Sequence, residues 1–331
     1  MFYIKYVVKT LRYFLQPTKD HYKMMNTHCP LCKSTKHTVR SNIASVDLIN
    51  VYKSQFNINI KKYFYNIDII KLVKCNTCNL QYYDPTISGD EYFYNHFQKF
   101  DWYYMDDKNE YHLSKKYIQN DHKLLEIGSG KGAFSHYIKN SNYTGLDFSL
   151  NAKEMAKKEG IEVKNQTISE HAKLHSGTYD VVCAFQVLEH IPSVNKFISD
   201  CINCLKPGGT LIFAVPSEDS FLRYTINGIL NMPPHHLTRW TDNSLIKLGE
   251  IFNLDLVEII HEKVQSHHFY GLKLTEILFS RYGDNKLIIP GLLFKIKQKI
   301  YEMVIKFIYP KKSSRELLPN GHTVIAIYKK I

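Results

Sequence analysis

From residue 121 onward the chain alternates short apolar runs with amphipathic stretches. KLLEIG (123–128), YTGLDF (143–148), IEV (161–163), YDVVCAF (179–185), GTLIFAVP (209–216) and LDLVEII (254–260) read as strands. Between them, 131–140, 149–159, 192–205 and 242–252 carry apolar residues at helical spacing, the third opened by Pro192. Strands separated by helices of this length imply βαβ units, a mostly parallel sheet and helices on both faces. HTVIAIYKK (322–330) is a last strand, expected as an antiparallel edge.

The flanks have other patterns. Residues 1–25 hold a short amphipathic stretch with Ile4, Val7, Val8, Leu11, Phe14 and Leu15 at helical spacing, ended by Pro17. Residues 26–83 are rich in β-branched and aromatic residues. Residues 84–120 form an aromatic stretch suited to helices packed on a neighbouring domain. The α/β domain then occupies 121–331, with an insertion at about 263–320. Within that insertion, 291–309 is a basic amphipathic helix. Packing against its own core is the commonest meaning of such a stripe, and contact with a membrane surface is the alternative carried forward, as it is for 1–16.

Composition narrows the class. In 331 residues, 43 Lys and Arg stand against 31 Asp and Glu, a formal net charge of +12. The excess lies in the flanks: residues 1–120 carry +7, 121–260 carry −3, and 261–331 carry +8. A catalytic face that grips RNA would concentrate positive charge near itself, so a nucleic-acid partner is not expected. Seven cysteines, four of them in two distant CxxC pairs, suit reduced thiols and metal binding better than a disulfide framework. No run is long and apolar enough to act as a secretory or spanning segment, so a cytoplasmic protein is expected, with membrane contact at most peripheral.

Gly128, Gly130 and Gly132 stand directly after a strand and open a helix, where a backbone free of side chains can approach a ligand near a helix N-terminus. Asp147 ends the next strand, where a carboxylate can accept both hydroxyls of a ribose. Glu126-Ile-Gly-Ser-Gly-Lys-Gly132, Gly145-Leu-Asp147, Tyr179-Asp180-Val-Val and Leu205-Lys-Pro-Gly-Gly209 follow one another in the order of the motifs of class I S-adenosylmethionine-dependent methyltransferases, which the chain resembles over about 121–262 and at its last strand. The resemblance implies a Rossmann-like α/β fold, mostly parallel with an antiparallel last strand. It implies that Glu126, Gly128, Ser129, Gly130 and Gly132 surround the methionine part of the cofactor. Asp147 would hold the ribose, with Phe148 and Ser149 beside the adenosine and Gln166 and Thr167 nearest the adenine. Gln186 follows the fourth strand, whose carboxyl end faces the ligand crevice. Glu189 and His190 follow it, serving the same site or capping the helix that begins at Pro192.

CPLC (29–32) and CNTC (75–78) place Cys29, Cys32, Cys75 and Cys78 as two knuckles that can close a tetrahedral thiolate shell, which makes a structural zinc the expected metal. Cys201 and Cys204 form a third CxxC inside a predicted helix and read as core residues. The resemblance extends to the paired knuckles, because bacterial sugar and polysaccharide methyltransferases begin with such a zinc ribbon. MPPHHLTRWT (232–241) gathers His235, His236, Arg239 and Trp240 after the fifth strand. A histidine there is matched to removing a hydroxyl proton during methyl transfer, with His236 slightly preferred over His235. Arg239 and Trp240 would serve substrate charge and stacking. The expected function is methyl transfer to a small-molecule or glycan acceptor, with a sugar or nucleotide-linked sugar in surface polysaccharide synthesis foremost. An RNA or protein methyltransferase, or a non-catalytic scaffold, are the alternatives.

Overall fold

The computed structural model describes residues 28–100, 105–138, 142–283, 286–309 and 320–331. The expected amphipathic stretch at 1–25, with its proposed membrane contact, lies outside them. Two sheets organise the chain. The smaller has four strands, β1 (His37–Ala44), β2 (Ile69–Cys75), β3 (Gln81–Asp84) and β9 (Thr238–Arg239), in that spatial order and antiparallel throughout. The larger has seven: β4 (Leu124–Ile127), β5 (Tyr143–Leu146), β6 (Val163–Lys164), β7 (Tyr179–Phe185), β8 (Leu205–Pro216), β10 (Leu254–His261) and β11 (Thr323–Lys330), ordered β10-β11-β8-β7-β4-β5-β6.

Strands β4 to β8 pair in parallel, which needs a crossover after each strand; the 3₁₀ turn Ala133–Tyr137 lies in the first, and helices Leu150–Lys158, Ile168–Ala172 and Val194–Cys204 supply the other three. This is the Rossmann-like methyltransferase arrangement, mostly parallel with β11 antiparallel to both neighbours. The expected position of the last strand changes in one respect: β11 lies inside the sheet between β8 and β10, and β10 is the edge. Its sequence is consistent with the inner place. Val324, Ile325, Ala326, Ile327 and Tyr328 are all fully buried, as a strand covered on both faces requires. The stretch 131–140, expected as a helix, forms only a short 3₁₀ turn at Ala133–Tyr137 among its described residues.

The order reverses between β4, whose next strand β5 lies to one side, and β7, which lies to the other. A crevice opens at the carboxyl ends of strands at such a switch point, and the glycine loop follows β4 directly. The predicted helices at 242–252 and in the insertion are present as Asp242–Phe252, Phe269–Tyr282 and Leu292–Ile308. In the aromatic stretch, helices Glu91–Phe97 and Asn109–Ser114 bury Phe93, Phe97 and Tyr111.

The small sheet is completed from the α/β part. β9 comes from the loop after β8 and pairs Thr238 with Tyr82 and Arg239 with Gln81. One apolar cluster joins Leu48, Tyr52, Phe93 and Phe97 of the N-terminal half to Ile229 and Met232, and another joins Cys29, Cys75 and Cys78 to Phe197, Ile198 and Trp240. The histidine loop is therefore held between the two halves of the chain.

Candidate active site

The loop after β4 is built by close backbone approach. Gly128 and Gly130 have φ of 69° and 53°, in the left-handed region, and a Cβ on Gly128 would stand 2.4 Å from the Val187 side chain. The amides of Gly128 and Ser129 donate to the Leu146 carbonyl at 2.8 and 3.1 Å, tying the loop to the end of β5. Asp147 is the hub. Its Oδ2 accepts from the Gly130 amide at 2.7 Å and its Oδ1 from the Ser149 amide at 2.8 Å. Each oxygen keeps a further lone pair, so the carboxylate can also accept a vicinal diol. Glu126 is buried beneath the loop, accepts from the Tyr143 hydroxyl at 2.5 Å, and is pushed up to about 8 by burial.

Around this hub the other predicted cofactor residues take defined places. Phe148 is 59% exposed, an aromatic face open beside the crevice. Ser149 caps helix Leu150–Lys158 through the Ala152 amide. Gln166 bonds His171 at 3.1 Å, and Thr167 forms a capping box with Glu170 at the start of helix Ile168–Ala172. Asn165, which sequence reasoning passed over, donates to the carbonyls of Asp147 and Phe148 and so joins the β5 and β6 ends. Gln186 follows β7 with φ of 57°, and its side-chain amide nitrogen faces Glu110 and Thr323 at 3.4 and 3.3 Å. These positions fit an S-adenosyl group: backbone cradle, diol acceptor and exposed aromatic face lie together at the strand ends.

Glu189 is 1% exposed, and neither of its carboxyl oxygens has a hydrogen-bond partner. Its Oε1 lies 3.8 Å from His190 Nε2 and 3.9 Å from His236 Nε2. Burial pushes its carboxyl up to about 8. His190, His235 and His236 form one cluster, with ring centroids 4.6 to 4.7 Å apart. Helix Glu91–Phe97 roofs it, with Phe97 5.6 Å from His235 and Tyr94 5.9 Å from His190. Burial lowers His190 to about 4 and His235 to about 3, and holds His236 well below its ordinary value, so all three are neutral near pH 7.

Their tautomers follow from their neighbours. His190 Nδ1 donates to the His235 carbonyl at 2.7 Å, and His235 Nδ1 to the Leu230 carbonyl at 2.8 Å, leaving both Nε2 atoms as acceptors. The Asn231 amide satisfies both its neighbours with its oxygen on Arg239, at 3.2 and 3.3 Å, and its nitrogen donating to His236 Nδ1 at 3.1 Å. His236 then carries its proton on Nε2, towards Glu189. His236 and Asn231 also line a cavity of about 240 Å³, together with Pro216, Leu222, Ile229 and His322. Asn231 and His322 were not singled out from sequence; Asn231 borders the PPHH segment, whereas only the position of β11 brings His322 to the cavity.

Two expectations for this loop change. Arg239 is 4% exposed and bonded to Glu218 at 2.6 Å, and Trp240 is fully buried with its Nε1 donating to Thr238. The cation is neutralised inside the fold and the indole belongs to the core, so neither is presented to a substrate.

At the other end of β3, Cys29, Cys32, Cys75 and Cys78 bring their sulfurs within 4.8 Å of one another, with Cys29 to Cys78 and Cys32 to Cys75 at 3.5 Å. A tetrahedral zinc with Zn–S of about 2.3 Å separates its sulfurs by about 3.8 Å, so the set is compatible with that ion. Both knuckles turn alike: the amides of Lys33 and Asn79, at φ of 63° and 62°, donate to the carbonyls of Cys29 and Cys75 at 3.0 Å. Cys201 and Cys204 are fully buried on helix Val194–Cys204, as core residues.

A family described as a methyltransferase domain matches residues 94–259, half of the chain. The chain is similar to a ubiquinone biosynthesis O-methyltransferase of Cronobacter sakazakii, 35% identical over 156 residues that cover 40% of this chain and 64% of the relative. It is also similar to the protein of the same description from Escherichia coli, at 30% identity over 40% of this chain and 65% of that one. The chain thus spans just under two thirds of the length of these curated relatives. Among solved structures it is similar to a SAM-dependent methyltransferase of Archaeoglobus fulgidus, with 16% identity, a TM-score of 0.47, and coverage of 73% of this chain and all of the other.

Proposed function

The chain belongs to the methyltransferase-domain family, and from that premise we propose that it methylates an oxygen of a small hydroxylated acceptor, a sugar or nucleotide-linked sugar foremost. The observation that carries the acceptor class is His236 on the wall of the cavity, with Glu189 buried 3.9 Å behind its Nε2 and with neither carboxyl oxygen hydrogen-bonded. The cavity volume of about 240 Å³ suits one ring rather than a macromolecular segment. The curated relatives act on an oxygen, by their description, which supports oxygen over nitrogen or carbon.

The cofactor, when bound, supplies a methyl group on an electrophilic sulfonium. Asp147 would take the ribose diol, the 128–132 backbone the methionine end, and Phe148 with 165–167 the adenosine side. The histidine loop, fixed by β9 and by the Tyr83 amide donating to the Leu237 carbonyl at 3.0 Å, holds the acceptor in one orientation. The hydroxyl proton passes to ionised Glu189, towards which His236, 3.9 Å away, turns its Nε2–H. The four-cysteine cluster takes zinc and stiffens the small sheet that carries β9; it has no open position for chemistry.

Incubation with methyl-labelled S-adenosylmethionine and a panel of nucleotide-linked sugars, catechols and amines tests the reading. Label on a sugar oxygen is expected. Label confined to an amine or a catechol would displace the sugar, and no transfer to any member with cofactor bound would favour a non-catalytic role.

A further inference from the structure

Helix Leu292–Ile308 docks on the protein by one narrow face and turns a broader apolar face to solvent. Phe294 and Ile305 are buried, with Tyr301 packed beside them against Ile226, Leu278 and Tyr282. At about 100° per residue these three fall within an arc of roughly 40°. Leu293 is 77% exposed, Phe307 87% and Met303 62%, with Ile296, Ile300 and Val304 exposed beside them. Those six occupy a separate arc of about 100°, centred roughly 130° from the docked face. The apolar stripe read from the sequence, at 293, 296, 300, 303, 304, 307 and 308, is exposed throughout, so the expectation that it packs on its own core is overturned: the helix docks through Phe294, Tyr301 and Ile305 instead.

The polar residues sort with the same geometry. Lys295, Lys299 and Lys306 border the exposed arc on one side and Lys297 on the other, and all four are exposed. The helix has one acidic residue, Glu302, which lies towards the docked side and accepts from Gln298. An apolar face flanked by cations on both edges is complementary to a surface of acyl chains beneath negative headgroups: the apolar side chains enter the boundary while lysine stems reach back to the phosphates. The 17-residue length, interrupted by lysines, suits lying in the plane of a bilayer; among the described residues no helix is long and apolar enough to cross a membrane.

We propose that this helix seats the protein on an anionic phospholipid surface, with Leu293, Ile296, Ile300, Met303 and Phe307 inserted and the four lysines at headgroup level. The residues leading into the helix are bonded to the cavity wall: Asn227, which lines the cavity, exchanges hydrogen bonds with Ile289 at 2.9 and 3.0 Å and donates its amide to the Leu287 carbonyl at 2.8 Å. A seated helix would thus hold the cavity near the lipid surface.

The test is flotation of the full chain with vesicles of phosphatidylcholine and phosphatidylglycerol, against pure phosphatidylcholine. Binding to the mixed vesicles, weakened by salt, is expected. Each lysine near an anionic surface contributes about a five-fold factor, so replacing Lys295, Lys299 and Lys306 by Gln should weaken partitioning roughly 100-fold. Leu293→Ser with Phe307→Ser should weaken it by on the order of ten-fold or more. Both variants change exposed residues, so an unaltered melting temperature and S-adenosylhomocysteine affinity are expected. Failure to float with anionic vesicles, or equal flotation of wild type and both variants, overturns the proposal. So does a wild-type dimer in sedimentation velocity that the Leu293 and Phe307 changes dissociate, because the face would then belong to a second copy.

Discussion

Replacing Asp147 by Ala removes an acceptor that joins the glycine loop to the end of β5. In the free protein the carboxylate accepts the Gly130 amide at 2.7 Å and the Ser149 amide at 2.8 Å, and its two remaining lone pairs are what a ribose diol would use. A hydrogen bond to a charged group is worth about 1.5–3 kcal/mol, and two on one carboxylate are not fully additive, so about 2–4 kcal/mol of cofactor binding should vanish. That corresponds to a Kd for S-adenosylhomocysteine weaker by roughly 30- to 1,000-fold, measured by titration calorimetry. Asp147→Asn separates the contributions, since it keeps one acceptor oxygen in nearly the same shape; an intermediate loss is expected. Melting temperatures of both variants show whether the loop has collapsed. Calorimetric affinity of the folded Ala variant within a factor of three of wild type would remove Asp147 from the cofactor site and refute the reasoning.

Metal analysis should give about one zinc per chain, lost on Cys29→Ser or Cys75→Ser and retained on Cys201→Ser, because one ion saturates four thiolates; retention in the first two would put the ligands elsewhere. With an acceptor in hand, Glu189→Gln and His236→Ala should each lower kcat by ~10²–10⁴ with little change in cofactor affinity. Because burial raises Glu189 to about 8, its base form is lost as pH falls, so the wild-type rate should drop about tenfold per unit below that value; a rate flat from pH 6 to 9 would exclude the pair. Folding stability should peak near neutrality. His190, His235, His268 and His322 have folded values lowered to between about 3 and 4, so the stability they permit is present above the unfolded value near 6.5 and lost as pH falls towards 4. Glu126 and Glu189, raised to about 8, act oppositely, their contribution being lost as pH rises from about 4.5 to 8. Urea unfolding at pH 5, 6.5 and 8.5 measures this, and a steady climb through pH 8.5 would contradict it.

What the sequence determined by itself was local. Strand β4, the loop at 128–132 and Asp147 are legible because a parallel strand buried on both faces must be continuously apolar and the tight approach after it must be free of side chains; Val187 at 2.4 Å from a Cβ on Gly128 is that requirement made visible. The paired CxxC knuckles are legible because metal chemistry fixes both residue type and spacing, and the four sulfurs do converge. Tertiary structure decided whatever depended on which distant segments meet. Nothing in MPPHHLTRWT shows that Thr238 and Arg239 will add a strand beside Tyr82 and Gln81, yet that pairing turns Trp240 into the core and sends Arg239 to Glu218. Glu189 stands next to His190 in sequence, but only the return of the 235–236 loop sets its buried carboxyl against His236. The stripe on Leu292–Ile308 has one period and two faces, and the period alone cannot say which face the rest of the chain covers. Residues close in sequence share a backbone that constrains them, whereas the partners of a loop or a helix face are chosen by long-range packing, and that choice made Glu189 and the exposed helix the parts of this protein that spacing could not reveal.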